Sequence, residues 1–182
     1  MIDASLTLPN GIERVLLTEA QVQRRTRELG AELSAHYGTR KPLLVGVLTG
    51  AYVFMADLSR AMNIELDVEF MAVSSYGLAT QTSGVVRILK DLDTAIEGKE
   101  VLIVEDIIDS GLTLNYLLDV LRRRNPKDIR VVALLKKARN DAQPVQVDYL
   151  GFEIPDEFVV GCGLDAGRRF RNLPYVAVVR TT

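Results

Sequence analysis

Residues 101–118 read VLIVEDIIDSGLTLNYLL, and the order of residue types in that stretch decides the fold. The first four are long or branched apolar residues, the composition of a short strand buried on both faces. Two acids, Glu105 and Asp106, follow at its carboxyl end, and a third, Asp109, opens a turn of small residues, Asp109-Ser110-Gly111-Leu112-Thr113. A helical pattern starts there and runs to about Arg124, stopping ahead of Asn125-Pro126 because the residue before a proline is pushed out of the helical region. Strand, turn and helix in this order form a βα unit, and in an open α/β sheet ligands bind beyond the carboxyl ends of the strands. Successive N–H groups in such a turn, aimed along a helix N-terminus, cradle a phosphate. Carboxylates beside that cradle repel a phosphate unless they hold a metal or face sugar hydroxyls and the reacting group.

Working outward, Thr18 with Gln21 three residues later marks a helix start. Val22, Leu29, Leu33 and Tyr37 keep helical spacing, and Gly38 ends the run. Residues 43–48, LLVGVL, are a continuous apolar stretch of the kind a central parallel strand shows, and Thr49-Gly50-Ala51 turns into a second helix over about 51–62. Residues 64–73 alternate in part, as a strand with one wetter face does, and a returning strand is expected at 85–89. Between them SSYGLATQTSG, 74–84, has the composition of a mobile loop or arm. Downstream, 129–135 is apolar apart from Arg130 and delivers Lys136 and Lys137 at its carboxyl end, while 145–149 is a weaker strand. After 150 the βα pattern stops, leaving a short apolar piece at 158–161 and a last strand at 175–179. The pattern predicts an α/β fold: a parallel twisted sheet flanked by helices, with its core at about 38–150 and a small hood subdomain from 1–17 and 151–182.

A chain of 182 residues is long enough to bury its own core as one domain. Its 22 basic and 24 acidic residues leave a net charge of −2, which argues against a dedicated nucleic-acid binder. Basic clusters at 122–124, at Lys136, Lys137 and Arg139, and at Arg168, Arg169 and Arg171 read first as solvated surface. Cys162 is the only cysteine, so neither an intrachain disulfide nor a thiolate metal site is available. The single histidine, His36, reads as a surface or capping residue. The opening MIDASLTLPN lacks the features of a secretory signal, and no apolar run reaches transmembrane length, so a cytoplasmic location and no membrane partner are expected.

The run EDIIDSGLT at 105–113 resembles the phosphoribosyl diphosphate (PRPP) binding motif of type I phosphoribosyltransferases, and its paired acids resemble those of the hypoxanthine-guanine members. The resemblance extends over nearly the whole chain: SSYG at 74–77, VALLKK at 132–137, GFEIPDEFVVG at 151–161 and LDAGRRFRNLP at 164–174 share that family's order and spacing. It implies a purine-salvage enzyme that transfers the phosphoribosyl group from PRPP to hypoxanthine and guanine. IMP or GMP and pyrophosphate are the products, through an oxocarbenium-like transition state. It further implies Mg²⁺ as cofactor, a homodimer or homotetramer, and no nucleic-acid partner.

The resemblance also assigns roles. Glu105 and Asp106 address the ribose hydroxyls, partly through Mg²⁺, and Asp165 ligates a second Mg²⁺; carboxylates serve both tasks. Asp109 sits near purine N7 as general base, although on residue grounds the same position suits a helix N-cap. The amides of Ser110, Gly111, Leu112 and Thr113, with the two hydroxyls, hold the 5′-phosphate without a required lysine. Lys137 donates to purine O6; an ammonium has donors only and pairs badly with a 6-amino group, and strand alternation turns Lys136 away. Phe158 stacks on the base and Val159 offers main-chain contacts, whereas without the family Phe158 reads equally as core. Arg171, Thr49 and Gly50 meet pyrophosphate, and Ser75 and Tyr76 tip a loop that closes to exclude water. One departure is Leu48-Thr49-Gly50, where many relatives carry a lysine before the glycine; a non-proline cis peptide is expected at Leu48–Thr49. Two rivals stand beside this reading: a xanthine-preferring enzyme, and a regulatory protein on the same fold that senses PRPP or nucleotides and binds RNA, since fold does not fix function. Asp109 and Lys137 at family spacing speak against the regulator.

Overall fold

A computed structural model describes residues 8–76 and 85–180. In chain order the elements are β1 (Ile12–Leu17), α1 (Glu19–Tyr37), β2 (Leu43–Leu48), α2 (Tyr52–Ala61), β3 (Asp67–Tyr76) and β4 (Val85–Lys90). There follow β5 (Glu100–Ile108), α3 (Leu112–Arg122), β6 (Asp128–Lys137), β7 (Tyr149–Ile154), β8 (Val159–Val160) and β9 (Val176–Val179). Six strands form the main sheet in the order β4-β3-β2-β5-β6-β7, all parallel except β4, which returns antiparallel along β3. The hood is a small antiparallel sheet, β1-β9-β8, joining the two ends of the described chain.

The inner strands are apolar throughout because both sheet faces are covered. Successive side chains point to opposite faces. Leu44, Leu102, Val104, Val132 and Leu134 therefore pack with Leu29 and Leu33 of α1 and Phe54, Met55 and Leu58 of α2. Val45, Ile103, Val131 and Ala133 pack on the other face with Leu114, Leu117, Leu118 and Leu121 of α3. The first two helices approach closely at Gly30, where a Cβ would stand 2.6 Å from Ala61 Cβ. α1 starts at the capping box read from Thr18 and Gln21: Gln21 N donates to Thr18 Oγ1 at 3.3 Å and Thr18 N donates to Gln21 Oε1 at 2.9 Å. None of the described helices is long and apolar enough to cross a membrane.

Several boundaries differ from the sequence reading. β5 does not stop before Glu105 but carries both acids within its last turns of ladder, Glu105 opposite Ala133 and Ile107 opposite Leu135. β3 begins at Asp67 and continues through Ser74, Ser75 and Tyr76, which were expected in the loop; 77–84 lie outside the described residues. The weak strand expected at 145–149 lies at Tyr149–Ile154, on the edge of the main sheet, so the hood does not begin at 151. The preceding segment is committed elsewhere: Gln143 N donates to Ser110 O at 2.8 Å and Pro144 O accepts from Asn115 Nδ2 at 3.1 Å. Val145 and Val147 pack partly buried against the α3-side core, which gives strand-like alternation without a ladder.

Candidate active site

The carboxyl ends of β2, β5 and β6 lie side by side under the hood. At the first of these, the Leu48–Thr49 peptide is cis, as the sequence reading expected. Gly50 then passes against β5: a Cβ there would stand 1.6 Å from Asp106 Oδ2. From the hood, Gly163 comes as close to Gly50, its own would-be Cβ lying 2.0 Å from Gly50 O. Both glycines are needed for close approach of backbone and carboxylate.

Two adjoining clefts open here. One, of about 480 Å³, runs between the β2 turn and the start of α3 and is lined by Gly50, Glu105, Asp106, Asp109, Ser110, Gly111, Thr113 and Arg139. The other, of about 260 Å³, lies under the hood and is lined by Gly50, Asp106, Asp109, Lys137, Phe158, Val159, Asp165 and Arg171. Gly50, Asp106 and Asp109 face both.

In the larger cleft the turn into α3 has the form of an anion cradle. Gly111 adopts φ 77°, and a Cβ on it would meet Gln143 O at 2.7 Å, so both its conformation and its surroundings call for glycine. The first-turn N–H groups of a helix have no intrahelical partner, and the helix dipole adds positive character at that end. Ser110 Oγ accepts a long bond from Leu112 N at 3.4 Å. The Leu112 side chain is exposed, so this residue contributes backbone only.

The carboxyl pair at the end of β5 is electrostatically unusual. Glu105 is buried, and burial first, then the neighbouring Asp106 charge, pushes its carboxyl well above the ordinary range. Burial also raises Asp106, to about 6, against the opposing pull of the Ile107 N–H and the Arg171 charge. Two carboxyls held up in this way favour a neutralising cation or hydroxyl donors. Across the cleft Asp165 pairs with Arg171 Nη2 at 2.6 Å, and Arg171 Nη1 donates to Gly163 O at 2.6 Å. Among the described residues no group of three or more His, Cys, Asp or Glu side chains is arranged to hold a metal by itself, so Glu105, Asp106 and Asp165 do not form a closed cage.

At the far end Lys137 projects into the smaller cleft with its Nζ 3.1 Å from Asp109 Oδ2 and 3.3 Å from Asp156 Oδ1. Arg139 Nη1 lies 2.9 Å from Asp109 Oδ1, while its Nε and Nη2 hold Asp141 at 2.9 and 2.8 Å. Phe158 is 55% exposed at the cleft, which excludes the core reading, whereas Val159 beside it is buried and paired with Val178 of β9.

Most of the expected site residues thus converge. Thr49 is exposed in the β2 turn, and the side chains of Ser75 and Tyr76 lie outside the described residues, although their backbone extends β3. Sequence reasoning passed over Arg139 and Asp156. Arg139 had a signal: it follows Lys137 by two, the spacing that keeps two residues on one face of an extended chain. Asp156 had none, because its partners, Lys137 at the end of β6 and Arg139 just beyond it, lie in another segment of the chain.

Such a cradle, carboxyl pair and cationic cleft at the carboxyl edge of a hooded parallel sheet define a phosphoribosyltransferase. A phosphoribosyl transferase domain model matches residues 16–166, and the chain belongs to that family. A hypoxanthine-guanine phosphoribosyltransferase of Bacillus subtilis (strain 168) is 50% identical over 173 residues, covering 95% of this chain and 96% of that protein. A bifunctional protein of Listeria innocua is 48% identical over 98% of this chain, which spans 28% of that longer protein. The crystal structure of a hypoxanthine phosphoribosyltransferase from Staphylococcus aureus matches with a TM-score of 0.89 at 41% identity, covering 98% of this chain and 97% of that one. Within the family this chain is an enzyme of the hypoxanthine-guanine group.

Proposed function

We propose that the chain transfers the 5-phosphoribosyl group from PRPP to hypoxanthine and guanine, releasing pyrophosphate and forming IMP and GMP. The observation that carries this reading is the contact of Lys137 with Asp109 in a cleft that also presents Phe158 and adjoins the anion cradle. A base stacked on Phe158, with its edge along the Val159 backbone, directs its 6-oxo group to Lys137 and N7 to Asp109. The cradle of Ser110, Gly111, Leu112 and Thr113 takes the 5′-phosphate. Glu105 and Asp106 accept from the ribose hydroxyls, and Gly50, Thr49 and Arg171 take the diphosphate. As N9 bonds to C1 and pyrophosphate leaves, Asp109 accepts the N7 proton. Ser75 and Tyr76 are assigned to the arm that closes over the reactants and excludes water.

The donor set suits Mg²⁺, which binds through one or two carboxylates and substrate phosphates and needs no all-protein cage. Asp106, Glu105 and Asp165 would hold it directly or through the sugar, and the ion would neutralise charge on the leaving diphosphate. We further assign a homodimer or homotetramer in the cytoplasm, testable by mass in solution and by fractionation.

Pyrophosphate release with PRPP and Mg²⁺ tests the reading, with hypoxanthine, guanine, xanthine and adenine side by side. Turnover on the 6-oxopurines and none on adenine is expected; a preference for xanthine would shift the assignment to that rival, and silence on all four from folded protein would end it. Asp109→Ala is expected to lower kcat roughly 10²- to 10⁴-fold while leaving PRPP affinity little changed. Equal loss of both would remove Asp109 from the chemical step.

A further inference from the structure

We infer that Asp156 is a positioning residue for base recognition: it holds the Lys137 ammonium in place while Asp109 changes charge. The inference rests on the proposed transfer to a 6-oxopurine and goes beyond it to a residue with no role in that scheme.

The Lys137 side chain is only 10% exposed, and an ammonium so withdrawn from water needs partners. It has three donors. Two are directed to carboxylates, Asp109 Oδ2 at 3.1 Å and Asp156 Oδ1 at 3.3 Å, which leaves a third for the base carbonyl. Arg139 Nη1 bridges the same two acids, 2.9 Å from Asp109 Oδ1 and 3.6 Å from Asp156 Oδ1. The four side chains form a ring of alternating charge.

Its backbone is fixed on both sides. Lys137 pairs with Ile154 across the β6–β7 ladder, Ala138 N donates to Ile154 O at 2.8 Å, and Asp156 follows two residues after Ile154. Next to it, Glu157 is tied to Arg14 of β1 at 2.6 Å, and Phe158 comes directly after. The turn that presents the stacking ring therefore also presents Asp156 to Lys137.

When Asp109 takes a proton it becomes neutral, and Lys137 and Arg139 lose half of their shared countercharge at that moment. Asp156 stands outside that transfer and keeps Lys137 paired, as Asp141 keeps Arg139. Before that step it also prevents Lys137 from resting wholly on Asp109, where it would compete with the N7 proton. Two anchors, instead of one, fix the direction of the third N–H toward O6.

The test is steady-state kinetics of the full chain and of Asp156→Asn, Asp156→Glu and Glu153→Gln, each with a thermal melt. Asp156→Asn is expected to raise the KM for hypoxanthine roughly tenfold or more, with the KM for PRPP within about twofold of the parent. Asp156→Glu should recover most of the loss, and Glu153→Gln, which removes an exposed carboxylate on β7, should leave the hypoxanthine KM in place. An unchanged hypoxanthine KM in Asp156→Asn, equal rises in both KM values, or a matching loss in Glu153→Gln would overturn the assignment. Failure of Asp156→Asn to fold would overturn it as well, by making this half-exposed acid a structural one. A parent chain inactive on hypoxanthine would instead refute the proposed function, whereas an active parent with an indifferent Asp156→Asn would refute this inference alone.

Discussion

Gly50 and Asp106 compete for one space. A Cβ at position 50 would lie 1.6 Å from Asp106 Oδ2, so a side chain there must displace either the carboxylate or the turn that carries it. A shift of about an ångström at a reacting centre can cost about 10²-fold in rate. Gly50→Ala is accordingly expected to lower kcat/KM for PRPP by roughly that factor while the chain still folds, with activity measured beside a thermal melt. Residues of this kind were legible where they were contiguous. Glu105, Asp106, Asp109 and the small-residue turn stand within nine positions, and the chemistry of one segment could be read from its order. The ring of Asp109, Lys137, Arg139 and Asp156 spans three separate segments, and a basic cluster at 136–139 looks the same in sequence whether water or carboxylates face it. Phe158 was ambiguous for a related reason: an aromatic among valines says nothing of exposure until the hood is folded.

At the scale of elements, α1 shows how local chemistry sets a boundary. Thr18 and Gln21 satisfy each other's backbone N–H groups, and both were readable because a capping box lies within four residues. Thr18→Ala is expected to destabilise the protein by about 1 kcal/mol, a fall of roughly 2–4 °C in Tm, with kcat unchanged because the cap is on the hood side of the helix and away from both clefts. Recovery of the parental Tm in Thr18→Asp would confirm that the cap, and not the methyl group, is responsible. Strand ends were harder to read. A parallel ladder is a property of the backbone, so β5 continues through two acids for as long as β6 offers partners, and polarity alone marked the wrong end. At 145–149 the error ran the other way: Val145 and Val147 alternate because they pack on a core, while the ladder waits for Tyr149.

Across the whole molecule, the rim opposite the clefts is tied by Glu100 at the start of β5. Its side chain is 8% exposed and lies 2.9 Å from Lys127, just before β6, and 3.1 Å from Arg40, just before β2. The hydrogen bond from Lys127 holds its carboxyl below the ordinary range, with burial opposing and Arg40 adding to the depression. A group whose pKa is lower folded than unfolded stabilises the fold above its unfolded value, about 4.3 for glutamate, and loses that contribution as pH falls through the folded value. Glu100→Gln is expected to cost about 1–2 kcal/mol at pH 7. The gap between variant and parent should close as pH is lowered below about 4, and urea unfolding at a series of pH values would measure it. A gap that stays constant with pH would mean that packing, not charge, holds this corner. The one-way run of β2, β5, β6 and β7 places this corner and the reacting groups at opposite ends of the sheet. Heat tolerance gained at this corner and a new purine preference gained at the clefts would therefore draw on separate positions, and the two could be combined in one chain.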